Sequence, residues 1–210
     1  MRKFETVTGI AAPYPFANID TDRIIRIERC ARTPRDEMGR WAFEMERFAA
    51  DGSENPDFVL NRAPFRDAQI LVAGENFGCG SSREMAVWAV GGLGIRCVIA
   101  PSFGEIFFGN CFQNGILPIR LPATAVESIQ QRLSGATAQA PEQAVLVVDL
   151  ERQLLSTAWG EQLPFEVDPR GREALLEGLD PIDLTLKRSA AIDAFEAKQR
   201  LERPWVWEAG

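Results

Sequence analysis

The chain has 210 residues, no histidine, and a net charge of −7 from 23 Lys and Arg against 30 Asp and Glu. This acidic balance argues against the basic footprint of a nucleic-acid-binding protein, and the lack of histidine excludes His-dependent catalytic triads and His metal sites. Acid–base chemistry in this chain would therefore depend on carboxylates, hydroxyls, thiols or groups that a partner supplies.

The cysteine pattern bears on metal binding and on the cellular compartment. Cys30, Cys79, Cys97 and Cys111 form no Cys-x-x-Cys pair, so the sequence encodes neither a zinc ribbon nor a complete iron–sulfur site, and we expect no metal on this chain. No signal-peptide core follows the first residues, and no uncharged run is long enough to span a bilayer. We expect a cytoplasmic protein with reduced cysteines that binds neither membrane nor nucleic acid.

The first part of the chain predicts few regular elements. A strand is expected at about residues 5–10, and a Pro-containing loop then leads to Asp22. Residues 37–50 predict a helix, and the Gly-Ser-Glu-Asn-Pro run at 52–56 predicts a turn.

The most regular part of the chain is residues 69–121. Three short apolar runs predict buried strands at residues 69–73, 96–100 and 116–121. Because Pro118 cannot donate to a ladder, the third strand is expected to lie at a sheet edge or to end early. The helices between the strands are predicted to begin with capping boxes at Ser81 and Ser102, each followed three residues later by a glutamate. The βαβαβ order predicts a parallel sheet with right-handed crossovers.

The last part of the chain predicts a different kind of structure. The expected elements are a helix at residues 125–133, a small-residue linker at 135–141, a hairpin of strands at 145–150 and 153–156, a strand at 163–167, and helices at 172–177 and 190–199. A single α/β domain with a mixed sheet over residues 1–210 accounts for the whole pattern. In the tail, from about residue 200, Trp205 and Trp207 could pack on a partner subunit or fold back on the domain.

The chemistry-bearing segment is residues 76–84, of sequence NFGCGSSRE, between a predicted strand end and a helix start. Ligands of open α/β sheets bind at such positions. Gly78 and Gly80 allow a tight turn and close approach of a ligand, while the helix start and Arg83 favour a carboxylate or phosphate. In that field one of the two serines, Ser81 or Ser82, could act as a base without histidine. The alternative is a plain strand-to-helix turn with a surface arginine.

This segment, followed by APSF at residues 100–103, resembles the small-subunit family of 3-isopropylmalate dehydratases, the detached swivel domain of the aconitase superfamily. NIDTDRII at residues 18–25 matches the N-terminal signature of that family. Later segments match at residues 55–61, 178–186 and 196–199. The resemblance implies a swivelling-type α/β domain in which helices flank a mixed, partly parallel sheet or barrel core.

The resemblance also implies an activity and a partner. Members of the family isomerise a hydroxy di- or tricarboxylic acid by dehydration and rehydration, and the substrate in leucine biosynthesis is 3-isopropylmalate. The large subunit carries a [4Fe-4S] cluster that acts as a Lewis acid on the hydroxyl, so this chain is expected to bind no cofactor and to be inactive alone. By the same resemblance Ser81 is the catalytic base, and Gly80, Ser82 and Arg83 bind the substrate.

Two acidic residues and one departure from the family concern the same site. Asp20 and Asp22 either orient groups of the site or serve only as turn formers. Where the family commonly has histidine and proline after the Arg-Glu pair, this chain has Met85 and Val87. A non-catalytic anion-binding module that kept the fold after losing this histidine is the alternative to an enzyme subunit.

A second departure follows the Asp-Thr-Asp signature. The family commonly continues with an apolar segment, but this chain has Arg26, Arg29 and Arg32, with Glu28 as an internal partner. The arginines predict either a solvated face or contact of one of them, Arg29, with a polar or carboxylated substituent. The second interpretation would make the substrate a methylmalate- or citrate-type acid, because an unpaired arginine is costly beside a buried isopropyl group.

Overall fold

A seven-stranded mixed sheet organises the computed structural model of the protein, which describes residues 1–207. The strands are β1 (Thr6–Tyr14), β2 (Ile70–Ala73), β3 (Cys97–Ala100), β4 (Leu117–Arg120), β5 (Val145–Asp149), β6 (Leu154–Thr157) and β7 (Gln162–Pro164). Their order is β4-β3-β2-β1-β5-β6-β7. β1 to β4 pair in parallel, and β5, β6 and β7 extend the other side of β1 in antiparallel pairs.

The burial of each strand follows its place in the sheet. Every residue of β2 and β3 is buried, as expected for parallel strands that are covered on both faces. β5 alternates half-buried and buried residues, which is typical of a strand with one covered face. β4, which contains Pro118, lies at the sheet edge, so the prediction from that proline is confirmed.

Nine α-helices lie within the described residues. They are α1 (Thr21–Ile24), α2 (Ile27–Cys30), α3 (Glu44–Arg47), α4 (Glu84–Gly92), α5 (Glu105–Gln113), α6 (Ala123–Ser134), α7 (Pro169–Glu177), α8 (Pro181–Leu186) and α9 (Ser189–Glu202). α4 and α5 are the predicted crossovers from β2 to β3 and from β3 to β4. α6 packs against β1 and β2, and the Gln130 Nε2 amide donates to the Val72 carbonyl oxygen at 3.1 Å. None of the helices described here combines the length and the hydropathy that a membrane crossing requires.

The helix predicted over residues 37–50 is wrong. A 3₁₀ segment at Arg35–Trp41 and the single turn of α3 take its place. Between them Phe43 has a φ of 54°, which is left-handed, so an α-helix cannot continue through it. The Phe43 side chain is buried against Tyr14 and Phe58, with ring centroids 5.3 and 5.8 Å away. Aromatic packing therefore overrides the local helical pattern.

Both predicted capping boxes are also wrong. α4 has Arg83 as its N-cap and α5 has Gly104, and neither residue caps its helix with a side chain. The Ser102 hydroxyl instead accepts a hydrogen bond from the backbone N–H of Asn76 at 2.8 Å. The Glu84 carboxylate accepts one from the Asn114 side-chain amide, also at 2.8 Å. These side chains connect separate segments, and sequence spacing does not report such long-range partners.

The C-terminal part contains one helix that the pattern did not predict. α8 has a capping box in which the Asp180 carboxylate accepts from the backbone N–H groups of Ile182 and Asp183, both at 2.8 Å. α9, all of which is described, has no buried residue, and the Trp205 side chain beyond it is 68% exposed. The two alternatives for this tail, packing on a partner subunit and folding back on the domain, stay predictions, as does a single domain over residues 1–210. The last three residues of the predicted tail lie outside the described residues.

Candidate functional site

Three loops meet at the carboxyl edge of the parallel strands. They follow β1, β2 and β3, at residues 15–20, 74–83 and 101–104. The 74–83 loop lies between the other two. Its Gly78 N–H donates to the Ile19 carbonyl oxygen at 2.7 Å, and its Phe77 N–H donates to the Ser102 carbonyl oxygen at 3.1 Å. The segment at residues 76–84 therefore lies at the edge of the sheet where α/β proteins bind ligands.

Glycines allow these loops to approach so closely. Gly78 has a φ of 73°, and a Cβ built on it would lie 2.2 Å from the Phe107 ring. A Cβ on Gly104 would lie 2.4 Å from the carbonyl oxygen of Gly78. Any side chain at either position would push the 74–83 loop away from the start of α5, so the loop position depends on these two residues.

Two asparagines join the first and second loops. Asn18 and Asn76 have φ values of 55° and 56°, a left-handed conformation that asparagine tolerates better than most residues. The Asn76 Nδ2 amide donates to the Asn18 Oδ1 atom at 2.9 Å. Two turns that are locally unfavourable for most side chains are thus held together across 58 residues of sequence.

Thr21 anchors the loop that carries the two serines, a role that the sequence pattern did not single out. Its side chain is buried, its N–H donates to the Cys79 carbonyl oxygen at 3.0 Å, and its hydroxyl donates to the Ser81 carbonyl oxygen at 3.3 Å. The sequence feature that could have identified Thr21 is its position inside the Asp-Thr-Asp motif. Asp20 beside it caps α1 by accepting the Arg23 N–H at 2.7 Å.

The two serines and Gly80 face solvent. All three residues are exposed, and Gly80 has a φ of 89°. Within residues 1–207, neither the Ser81 nor the Ser82 hydroxyl takes part in an internal hydrogen bond. Both hydroxyls are therefore exposed at this edge and have no partner among the described residues.

Arg83 is the cation of the site. Its side chain is only 17% exposed and forms an ion pair with Asp22. The hydrogen bond to Asp22 raises the pKa of the Arg83 guanidinium, so the group stays charged. Its backbone N–H donates to the Ser81 carbonyl oxygen at 2.8 Å, which closes a tight turn between the two residues. The structure thus joins the turn at residues 81–83 to Asp22 of α1 through the Arg83 side chain.

The cysteines do not form an activated thiol or a metal site. Burial raises the pKa of the Cys79 thiol, and the nearby Asp20 raises it further, so the helix start does not activate this residue. Cys97 and Cys111 are buried, and all four cysteines are free. Among the described residues no group of three or more His, Cys, Asp or Glu side chains could hold a metal ion.

The three arginines after the signature differ in their contacts. Arg26 pairs with Glu28 at 3.3 Å, and Arg32 is exposed. The Arg29 Nε atom donates to Glu44 Oε2 at 2.9 Å, and its guanidinium carbon lies 3.5 Å from the centroid of the Trp41 ring. These contacts occupy the guanidinium that was the candidate for recognising a polar substituent.

Met85, at the position of the family histidine, is half-buried and packs against the hydrophobic core. In this chain the position therefore contributes apolar packing at the base of α4 and offers no titratable group.

The match to known families covers most of the chain. The family model of the aconitase C-terminal domain matches residues 1–124, LeuD_N matches 136–169, and the C-terminal domain of 3-isopropylmalate dehydratase small subunits matches 182–206. The chain is 52% identical over 206 residues to the 3-isopropylmalate dehydratase small subunit of Rhodospirillum centenum, covering 98% of this chain and 99% of the relative. It is 50% identical over 207 residues to that of Paracoccus denitrificans, covering 98% of this chain and 100% of the relative. The chain belongs to the family of 3-isopropylmalate dehydratase small subunits.

A solved structure confirms the fold class of this family member. The crystal structure of a 3-isopropylmalate dehydratase from Methanocaldococcus jannaschii is 24% identical and has a TM-score of 0.62. The match covers 90% of this chain and 98% of the archaeal chain. The predicted α/β fold, with a mixed, partly parallel sheet flanked by helices, is therefore confirmed.

Proposed function

We propose that this chain is the small subunit of a hydro-lyase that interconverts 2- and 3-isopropylmalate by dehydration and rehydration, and that it is active only with a large subunit. The observation that carries the proposal is the exposed Ser81, two residues before the Arg83 that pairs with Asp22, at the carboxyl edge of the sheet in a chain that matches a small subunit over 98% of its length.

Ser81 is the proposed base that removes the proton α to a substrate carboxylate. Its hydroxyl is exposed, while its carbonyl oxygen accepts hydrogen bonds from Thr21 and from the Arg83 backbone. The backbone is therefore held in place while the hydroxyl stays available. A nearby guanidinium stabilises an alkoxide electrostatically, which lowers the cost of deprotonating a serine in a chain without histidine.

Arg83 is the proposed clamp for a substrate carboxylate. A guanidinium has five N–H donors, and the ion pair with Asp22 occupies only one edge of it. Asp22 thus acts as the positioning residue, and the remaining donors can bind a carboxylate in the bidentate geometry that arginine favours. Ser82 and the backbone at Gly80 would add hydrogen bonds to the same substrate.

The large subunit is the proposed carrier of the [4Fe-4S] cluster, which as a Lewis acid polarises the substrate hydroxyl. The support from this chain is that its described residues provide no set of ligands for a metal. The exposed serine edge then forms one wall of a site that the partner completes. The proposed location is the cytoplasm, where free thiols such as that of the half-buried Cys30 stay reduced.

Two alternatives remain open to test. A methylmalate- or citrate-type substrate would require Arg29 to leave Glu44 and Trp41, so the contacts of Arg29 favour 3-isopropylmalate. A non-catalytic anion-binding module would not need an exposed serine beside a positioned arginine, so the presence of both favours an enzyme.

Reconstitution tests the proposal directly. The chain would be mixed under anaerobic conditions with a cluster-bearing large subunit of this enzyme family, and hydration and dehydration would be followed by the absorbance of the unsaturated acid. We expect activity on 3-isopropylmalate only in the mixture. A stable complex that turns over none of the isopropylmalate, methylmalate or citrate-type acids would support the binding module instead, and failure to form any complex would overturn the proposal.

A further inference from the structure

A second cluster of positive charge lies away from the serine loop. Arg2, Lys3, Arg66 and Arg96 line a cleft of about 480 Å³. An adjoining cleft of about 530 Å³ shares Arg2 and Arg96 and adds Arg35. We call the cleft that Arg2, Lys3 and Arg96 line the basic cleft.

The basic cleft lies at the opposite end of the sheet from Ser81. It is lined by Thr6 at the start of β1, by Gln69 just before β2 and by Arg96 just before β3, which are the amino ends of parallel strands. The 74–83 loop leaves β2 at its carboxyl end. A four-residue strand is about 13 Å long, so the two positions are separated by the full height of the sheet.

The charges of the basic cleft lack carboxylate partners. In the described part of the chain Arg2, Lys3 and Arg96 form no ion pair, whereas Arg66 at the rim pairs with Glu54 at 2.6 Å. Asp67 is the carboxylate that lines the same cleft, and Asp36 lines the adjoining one. Three unpaired cations at one position are unexpected in a chain with a net charge of −7.

Arg96 is the most constrained of the three. Its Nη2 atom donates to the Lys3 carbonyl oxygen at 2.9 Å, but its Nε atom is buried without a hydrogen-bond partner. Burial lowers the pKa of the Arg96 guanidinium, and the charge of Arg2 lowers it further. The like charges of Arg2 and Arg96 repel each other, and a bound anion would relieve that repulsion.

We infer that the basic cleft binds a small polyvalent oxyanion, either inorganic phosphate or a dicarboxylate. A guanidinium can pair two N–H donors with two oxygens of a phosphate or of a carboxylate, and Lys3 adds a point charge. The cleft is too far from Ser81 to share its substrate, so this is a second site and does not depend on the proposed reaction.

Calorimetric titration of the full chain with phosphate, and separately with malonate, tests the inference at constant ionic strength set with chloride. We expect saturable binding of at least one anion with a dissociation constant of about 1 mM or tighter. The double variant Arg2→Gln/Lys3→Gln changes two exposed side chains and should weaken binding roughly tenfold or more. The control removes one positive charge elsewhere. Arg152 lies in the β5–β6 turn with a side chain that is 80% exposed, and Arg152→Gln, compared with a single Arg2→Gln variant, should leave binding unchanged.

The outcomes separate the two anions and the two sites. Saturation by phosphate alone or by malonate alone supports the inference and identifies the ligand class. Absence of saturable binding by both anions overturns it. Binding that is lost in Ser81→Ala/Arg83→Gln but retained in Arg2→Gln/Lys3→Gln would place the anion at the serine loop and would also overturn it, without bearing on reconstituted activity.

Discussion

The two parts of the chain that build the serine site differ sharply in regularity. Residues 70–120 alternate strands and helices, with fully buried strands at their centre. Residues 18–61 contain only four-residue helices and 3₁₀ turns, with left-handed backbone at Asn18 and Phe43. The regular part carries Ser81 and Arg83, but the irregular part supplies Thr21 and Asp22, which hold them. The candidate reactive residues therefore lie in the regular part of the chain, whereas the residues that hold them lie in the irregular part.

Aromatic packing and one polar network stabilise the irregular part. Tyr14 at the end of β1 stacks edge-on against Phe43, and its hydroxyl donates to Glu46 Oε2 at 2.6 Å. Arg23 donates to the other oxygen of Glu46 at 2.8 Å. Burial raises the pKa of the Tyr14 hydroxyl, and Glu46 raises it further, so Tyr14 stays neutral and keeps donating.

The largest expected effect comes from breaking this packing with Phe43→Ala. Truncation of a buried aromatic side chain costs about 3–5 kcal/mol, to be measured as the change in the free energy of unfolding in urea. Phe43→Gly loses the same contacts but relieves the left-handed backbone, so it should be less destabilising than Phe43→Ala by about 1 kcal/mol.

The control for this prediction is the neighbouring Met45→Ala. The Met45 side chain is 70% exposed, so the change should stay within about 0.5 kcal/mol. A cost below about 1 kcal/mol for Phe43→Ala would mean that the irregular part does not depend on its aromatic packing.

Ser81→Ala tests the regular part. Loss of a general base lowers kcat by about 10²–10⁴-fold, so we expect at least about a hundredfold loss in the reconstituted enzyme while the complex still forms. Ser128→Ala, at an exposed position on α6, is the matched control. Near-normal turnover by Ser81→Ala would move the base to the partner subunit.

The sequence predicts the regular part well because its signals are local. The apolar runs of β2 and β3, the edge position of Pro118 and the β5–β6 hairpin all follow from residues next to one another in the chain. The capping box at Ser102 and the helix over residues 37–50 fail because Ser102 and Phe43 have partners far along the chain, and at Ser81 the hydroxyl is exposed and caps nothing. Asn76 and Tyr14 are such partners, and no local pattern reports them.

For the site, the residues were predictable by resemblance but their arrangement was not. The motif at residues 76–84 and the Asp-Thr-Asp signature identify Ser81, Arg83 and Asp22 as candidates. Only the fold shows that Asp22 pairs with Arg83 and that Asp20 caps a helix instead. The catalytic and substrate-binding roles themselves stay predictions until the variants are measured.

Thr21→Val tests the link between the two parts. The substitution keeps the shape of the buried side chain but removes the hydrogen bond to the Ser81 carbonyl oxygen. We expect a loss of stability of about 1 kcal/mol and a decrease in kcat of roughly tenfold as the serine loop loosens. Thr21→Ser keeps the hydroxyl and should recover most of kcat. If Thr21→Val and Thr21→Ser lower kcat equally, packing rather than the hydrogen bond supports the loop.

The smallest expected effect is that of Arg29→Leu, which also decides between the two interpretations of the arginine segment. The hydrogen bond from Arg29 holds the pKa of the Glu44 carboxyl below its ordinary value of 4.5. A lowered carboxyl pKa stabilises the fold above that ordinary value, and the contribution is lost as the pH falls through the folded pKa. Because solvent screens the pair, we expect Arg29→Leu to cost only about 0.5–1 kcal/mol at pH 7. Glu44→Gln should remove the same pH-dependent part.

The substrate preference of the same variant completes the test. If Arg29 serves only Glu44 and Trp41, the reconstituted Arg29→Leu enzyme keeps the ratio of kcat/KM between 3-isopropylmalate and citrate- or methylmalate-type acids. If Arg29 instead binds a substrate carboxylate, the loss of one charge-paired contact shifts that ratio by roughly tenfold or more toward the apolar acid, since a hydrogen bond to a charged group contributes about 1.5–3 kcal/mol. Such a shift, in a variant that is as stable at low pH as the chain with Arg29, would show that the irregular part selects the substrate as well as supporting the serine loop.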